Sequence, residues 1–264
     1  MYFGFMRPSD PAAPAFVQLA AHPLRWKLLT ELAAGDYRVR ELVERAGQPQ
    51  NLVSYHLRLL RGAGLVTARR SSFDARDSYY HLDLQQCAHA LAHAGSTLHP
   101  ALGFTPAPPP PSPWLARPPA VLFACTGNSA RSPIAEALLR HRTDGHVEVA
   151  SAGSHPKPRI HADAVQVLRE QHSIDISGQR PRHLNALLSH RFDYVISLCD
   201  KVREVCPDFG GQPRLVHWSI PDPAAASDSG PVGYPAFVRT AAEIDTRIGY
   251  LLPLLISTPQ EVQP

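Results

Sequence analysis

Apolar residues early in the chain recur at helical spacing. In RVRELVERAG, Val39, Leu42, Val43 and Ala46 fall at i, i+3, i+4 and i+7, which predicts a one-faced helix stopped by Gly47. In QPQNLVSYHLRLLRGAG, Pro49 suits a first turn, Val53, Leu57 and Leu60 share one side, and Gly62 or Gly64 ends the run. Two short amphipathic helices across a tight glycine-containing turn predict a helix-turn-helix. The period then changes. LVTARRSSFDARDSYYHL reads as two alternating strands around a polar, arginine-bearing tip, a wing. Further on, strand signals at VLFA, VEVAS, FDYVISL and PRLVHW alternate with helical stretches, the order of an α/β domain.

Between these regions lies FTPAPPPPSPWLARPP, residues 104–119. Proline at this density cannot supply the donors that a helix or sheet needs, so an extended spacer of roughly 45 Å is expected. The expected organisation is a winged helix-turn-helix over residues 1–103, a linker over 104–119 and an α/β domain over 120–264. A length of 264 residues with 44% apolar and 19% charged positions accommodates two modest cores. The best apolar run, YLLPLLI, is far short of the roughly 20 residues of a membrane span and contains Pro253. MYFGFMRPSDPAAPA breaks before a signal-peptide core could form, so no membrane partner and a cytoplasmic location are expected.

Charge is uneven. Residues 1–105 hold 11 Lys+Arg against 8 Asp+Glu, whereas residues 106–264 hold 15 of each, so all of the net +3 lies in the first part. This favours a polyanion partner there. The outer face of the second helix presents Gln50, Asn51, Ser54, Tyr55 and Arg58, groups suited to base edges and phosphates, and Arg69, Arg70 and Arg76 lie where a wing reaches phosphate. A helical domain with a solvated polar face would share this pattern. The run from FVQLAAHPLRWKLLTELAAG through the wing, about residues 15–95, resembles the ArsR/SmtB winged-helix repressors, with VSYHLRLLRGAGLV matching their recognition helix. That resemblance implies a homodimer formed through the outer helices on a palindromic operator DNA. The likeness fails at the sensor: RVRELVER lacks the cysteine pair common in arsenic-sensing members. Cys87, His89 and His93 in DLQQCAHALAHA have the residue types of a metal site but not the usual sensor spacing, and no metal is expected.

CTGNSARS holds the chemistry of the second region. Cys125 and Arg131 bracket a Cys-x5-Arg loop whose small residues, Thr126, Gly127, Asn128, Ser129 and Ala130, let backbone N–H groups converge on a tetrahedral oxyanion. A helix starting near Arg131 or Ser132 points its positive end at the same place. Arg131 offers a planar fork to two oxygens, and the Ser132 hydroxyl is placed to donate to the sulfur. Everything around Cys125 therefore favours negative charge.

From Ala120 to about Ile256 the chain resembles the low-molecular-weight tyrosine phosphatase superfamily and, within it, the thioredoxin-coupled arsenate reductases. The resemblance is carried by CTGNSARSPIAEALL, VEVASAG, IDISGQRPRHL, YVISLCDKVREVC and HWSIPDPAAASD. It implies a four-stranded parallel sheet flanked by helices, with the anion loop after its first strand. It also implies arsenate as substrate, no tightly bound cofactor, and thioredoxin or a similar thiol system as reductant. Phosphatase and reductase share the cradle, and Cys199 and Cys206 in LCDKVREVC discriminate between them: reduction needs two electrons from thiols, ester hydrolysis needs none. By the resemblance, Cys125 attacks arsenate while Asp222 of the PDP turn protonates the leaving oxygen. Cys199 then attacks Cys125, releasing arsenite, and Cys206 attacks Cys199. Seven residues of helix rise about 10.5 Å, beyond the roughly 7 Å reach of a disulfide, so the 199–206 segment must unwind for the last bond.

Some positions depart from the pattern. Ala130 replaces a cysteine often found in the loop. Asn128, Glu136 and Ser151 match positions that hold potassium in some relatives, yet Arg182 stands where an aspartate completes that set, so its guanidinium is expected to take the cation's place. The Ser-Pro after Arg131 is more phosphatase-like. A phosphatase fused to a repressor, and a repressor whose second domain only senses an oxyanion, remain alternatives.

Overall fold

The computed structural model describes residues 13–102, 117–225 and 233–256; the expected linker falls outside them except for its last three residues. Packing divides the described chain into two units. The first holds residues 13–33, 39–67 and 82–102. The second holds residues 34–38, 68–81 and everything described from residue 117 onward.

In the first unit, helices α1 (Ala15–Ala20), α2 (Pro23–Ala34), α3 (Val39–Ala46), α4 (Gln50–Gly62) and α5 (Leu84–Leu98) follow one another. Leu28 and Leu32 of α2, Leu42 and Ala46 of α3, and Val53, Leu57 and Leu60 of α4 form its core. Gly47 ends α3 at φ +63°, and both its N–H and that of Gln48 bond to the Val43 carbonyl, closing the helix with a left-handed residue that glycine adopts without strain. Pro49, expected in the first turn of α4, occupies its N-cap. The α5 helix starts where the Asp83 carboxylate accepts the Gln86 N–H; it buries none of its residues fully and leaves Leu91 and Leu98 exposed.

Three short strands, β1 (Tyr37–Arg38), β2 (Val66–Arg70) and β3 (Ser78–Leu82), form a sheet in the order β1-β3-β2, with β1 antiparallel to β3 and Tyr37 opposite Tyr80. The hairpin that joins β2 to β3 therefore exists as expected, and its residues 68–81 pack within the second unit.

The main sheet of the second unit comprises β4 (Ala120–Cys125), β5 (Glu148–Gly153), β6 (Tyr194–Ser197) and β7 (Arg214–His217), parallel throughout in the order β5-β4-β6-β7. Every residue of β4 is buried, as a central parallel strand requires, which explains its unbroken apolar sequence. Helices α6 (Arg131–Arg142), α7 (Ala162–His172), α8 (Asp200–Val205) and α9 (Tyr234–Ile256) accompany the sheet. Phe237, Ala241, Ile244, Ile248, Leu251 and Leu255 form the buried stripe of α9. Among the described residues, no helix is long and apolar enough to cross a membrane.

Candidate functional site

The loop leaving β4 is shaped by its carbonyls. Those of Cys125, Thr126, Gly127 and Ser129 accept the N–H groups of Ser154, His155, Lys157 and His161. Because N–H and C=O point oppositely across a planar trans peptide, the N–H groups of Thr126, Gly127, Asn128 and Ala130 turn the other way, into the cradle. The Asn128 N–H confirms the direction, lying 3.2 Å from the Cys125 sulfur. Helix α6 begins at Arg131 with Ala130 as a cap that has no side-chain bond, so its first N–H groups face the same concavity. Gly153, at the end of β5, lets the loop come this close: a Cβ there would sit 2.6 Å from the Thr126 oxygen and 2.9 Å from the Asn128 nitrogen.

Cys125 is buried, and its sulfur lies 3.0 Å from the Ser132 hydroxyl. Asn128, in the left-handed region at φ +43°, donates through Nδ2 to both Ser132 Oγ and Ser151 Oγ at 2.9 Å. Ser151 passes the chain on to Glu136 at 2.6 Å. Arg182 closes this network: its N–H reaches Asn128 Oδ1 at 2.8 Å, its Nε reaches the Ser151 carbonyl at 2.7 Å, and its guanidinium stands 3.5 Å from Glu136. A cavity of about 210 Å³ opens beside these groups, lined also by Pro133, Ile160, Gln179 and Arg180.

Arg131 is buried with its guanidinium fixed by the Ile220 carbonyl at 2.9 Å and by Asp222 at 3.1 Å. This pair brings Asp222, half exposed on the loop after β7, to the mouth of the cradle. Cys199 arrives through strand register. Ala124 faces Ser197 across the β4–β6 pairing, so two residues further along Thr126 meets Cys199, and the hydroxyl and thiol lie 3.3 Å apart. Cys206 caps the far end of α8, half-buried, and burial pushes its thiol up to about 11. The structure thus brings Cys125, Arg131, Ser132, Cys199 and Asp222 together around one loop, with Cys206 one short helix away from Cys199. Cys87 lies on α5 in the first unit, with its thiol also raised to about 11 by burial and by Asp83.

The residues beside Cys199 were not singled out from sequence. Asp200 is 2% exposed, and its carboxylate accepts bonds from His217 Nε2 at 3.1 Å and from Ser219 Oγ at 2.8 Å. It also accepts the N–H and hydroxyl of Ser72 on the hairpin at 2.6 and 3.0 Å. Burial raises its pKa, but these bonds and the His217 charge outweigh it and hold the carboxyl at about 2. A second buried acid, Asp36, pairs with Arg247 at 3.1 Å and accepts the Ser219 N–H at 2.7 Å. An acid directly after a cysteine at a helix start was the legible signal for Asp200; its partners come from distant segments.

In the first unit, Gln50, Asn51, Tyr55 and Arg58 of α4 are exposed and Ser54 is half-buried, so they share an outer face opposite Val53, Leu57 and Leu60. His56 joins the buried side, its ring 4.3 Å from that of His22. The hairpin arginines differ from one another. Arg70 is exposed, Arg76 is exposed and forked onto Asp74, and Arg69 is engaged by the Ser219 carbonyl and by Glu243 at 3.3 Å. The structure therefore gives Arg69 a carboxylate partner where a phosphate was expected, because residues 68–81 pack in the second unit.

Comparison with known proteins places these features. The profile of the low molecular weight phosphotyrosine protein phosphatases matches residues 120–263, and that of the bacterial regulatory proteins of the arsR family matches residues 22–68. An arsenate reductase of Shouchella clausii (strain KSM-K16) is 34% identical over 128 residues, which is 48% of this chain and 91% of that protein. One of Halalkalibacterium halodurans shares the same identity and coverage. Among solved structures, an arsenate reductase in the phosphate binding state is 29% identical, with a TM-score of 0.45 over 53% of this chain and 99% of that one. The loop, the parallel sheet and the match over residues 120–263 make this chain a member of the low molecular weight phosphotyrosine protein phosphatase family, with a segment ahead of it, residues 22–68, that matches the arsR-family helix-turn-helix.

Proposed function

We propose that the chain is a regulator-enzyme fusion that reduces arsenate to arsenite and binds operator DNA. The observation that carries the reductase reading is the second buried thiol at the edge of the anion loop, Cys199 Sγ at 3.3 Å from Thr126 Oγ1. Ester hydrolysis has no use for it.

The oxyanion sits on the N–H groups of Thr126 to Ala130 and the Arg131 fork, with Cys125 beneath it. The Cys125 thiolate bonds to arsenic as an oxygen leaves, and Asp222, held at the mouth by Arg131, supplies the proton for it. Cys199 attacks the Cys125 sulfur. The sulfur–arsenic bond breaks with its electron pair staying on arsenic, so arsenic(V) leaves as arsenic(III) and a 125–199 disulfide remains. Cys206 attacks Cys199, Cys125 departs as thiolate, and the disulfide moves to 199–206, where thioredoxin or another dithiol reduces it. The exposed face of α4, from Gln50 to Arg58, enters the major groove, and α5, with Leu91 and Leu98 outward, is the dimerising helix.

The test is NADPH consumption by the full chain with arsenate, thioredoxin and thioredoxin reductase, beside hydrolysis of an aryl phosphate. The expected result is arsenate-dependent oxidation abolished by Cys199→Ser. Aryl phosphate cleavage indifferent to Cys199→Ser, with no arsenate-dependent oxidation, would make the second unit a phosphatase; neither activity would leave an oxyanion sensor.

A further inference from the structure

Helix α8 is only six residues long, lies between the two downstream cysteines, and three of its residues grip the β1 strand and the hairpin. Asp200 takes the N–H and hydroxyl of Ser72. The Arg203 guanidinium lies over the Tyr79 ring at 5.2 Å and the Tyr37 ring at 6.0 Å. Glu204 pairs with Arg38 at 3.0 Å. Residues 37, 38, 72 and 79 all belong to the second unit, so this grip is part of its own packing. Tyr79 is among the largest fully buried side chains and also packs edge-on against His217, itself a partner of Asp200.

These contacts depend on α8 being helical. Asp200, Arg203 and Glu204 are presented together because three and four residues make one turn. A bond between Cys199 and Cys206 needs that turn undone, since the seven steps from one cap of the six-residue helix to the other rise about 10.5 Å at helical pitch and a disulfide closes roughly 7 Å. Undoing it moves Asp200, the residue next to Cys199, away from Ser72, and separates Arg203 and Glu204 from their partners.

The geometry points to a redox latch: reduced α8 holds the 68–81 hairpin through Asp200 and Arg203, with Glu204 gripping Arg38 of the adjoining strand β1, and formation of the 199–206 disulfide releases it. This rests on the relay proposed above, which supplies the oxidant: arsenate accepts two electrons, Cys206 displaces Cys125 from Cys199, and the bond that results is the one that unwinds α8. The same hairpin carries Arg69, held by the Ser219 carbonyl and by Glu243 of α9, together with the exposed Arg70 and Arg76, the residues expected to meet phosphate. Arsenate turnover is thereby signalled to the DNA-reading wing by a change in that wing's order, without any sensing thiol in the regulatory segment.

The experiment is hydrogen exchange of the full chain, followed at peptides covering 68–81, in three samples. These are the fully reduced protein, the protein after arsenate addition without reductant, and reduced Asp200→Asn. Disulfides in the second sample are mapped by peptide mass. The latch predicts exchange on the order of tenfold faster in 68–81 after arsenate, reversed by dithiothreitol, and a similar rise in reduced Asp200→Asn, with β4 peptides unchanged. A mapped 199–206 bond with unchanged hairpin exchange overturns the latch and leaves the relay standing. No 199–206 bond overturns the relay, and the redox release with it. Wild-type protection in reduced Asp200→Asn overturns the latch whatever the relay does. Ser72→Ala, which touches no thiol, separates hairpin effects from damage to the site: arsenate turnover is retained and only the exchange of 68–81 rises.

Discussion

Asn128 supports the cradle in two separable ways, through its backbone and through its amide. Its φ of +43° is left-handed, which costs a residue with a Cβ about 1–2 kcal/mol unless local bonds compensate. Its amide compensates with bonds to Ser132, Ser151 and the Arg182 N–H, all near 2.9 Å. Replacing it by glycine removes the amide and keeps the backbone at ease; the partners left behind are buried or half-buried, and losing their bonds costs about 2 kcal/mol. Replacing it by alanine removes the amide and keeps the strain that glycine relieves, offset partly by the lower entropy of the unfolded alanine chain, so the gap between the two variants is about 1 kcal/mol. A chain that packs as two units need not melt in one step, so a melt of the whole chain is not taken as a two-state measurement. Exchange of the β4 amides reads the second unit alone. The expected order of β4 protection is wild type, then Asn128→Gly, then Asn128→Ala, with the last about 2 kcal/mol below the first. If both variants fall within 0.5 kcal/mol of wild type, as neutral surface changes do, or if alanine is the better tolerated, the reasoning about this loop is wrong.

Four further outcomes follow from the same contacts. The folded Asp200 carboxyl, at about 2, lies below its unfolded value near 3.8, so its contribution is complete above pH 4 and is lost as pH falls toward 2; the second unit should weaken by about 2 kcal/mol over that interval, and Asp200→Asn should flatten the loss in acid unfolding curves. Gly153→Ala drives a methyl group into the Thr126 oxygen and Asn128 nitrogen, and calorimetry should show phosphate binding weakened on the order of tenfold or more while the described fold is retained; unchanged affinity would mean that the loop yields freely. Cys87 and Cys206, both raised to about 11, should react with iodoacetamide at pH 8 at roughly a hundredth to a thousandth of the thiolate-limited rate, accelerating toward pH 11; labelling as fast as free cysteine would contradict their burial. Arg58→Ala, on the exposed face of α4, should weaken operator binding and lower the salt dependence of affinity by about one ion; an unchanged titration would mean that another face of the helix meets DNA.

The secondary-structure elements and the small-residue loop after β4 are legible in the order of residues alone. The helical spacing of Leu42, Val53, Leu57 and Leu60 marked helices α3 and α4, because burial on one face is written locally at a 3.6-residue period. The unbroken apolar run of β4 marked a central parallel strand, and the glycine and small residues between Cys125 and Arg131 marked a loop that turns N–H groups inward. These are short-range properties, set by residues within one or two turns of each other. Tertiary structure decided what those elements meet. Strand register set Cys199 against Thr126, 73 positions away, and β7 with the loop after it brought Asp222 to Arg131. The hairpin shows the difference most clearly. Its alternation and arginines are legible, yet Ser72 reaching Asp200 across 128 positions, and Arg69 reaching Glu243 across 174, leave no periodic trace. A buried carboxylate constrains its partners only through the space they share, and that space exists after the chain has folded.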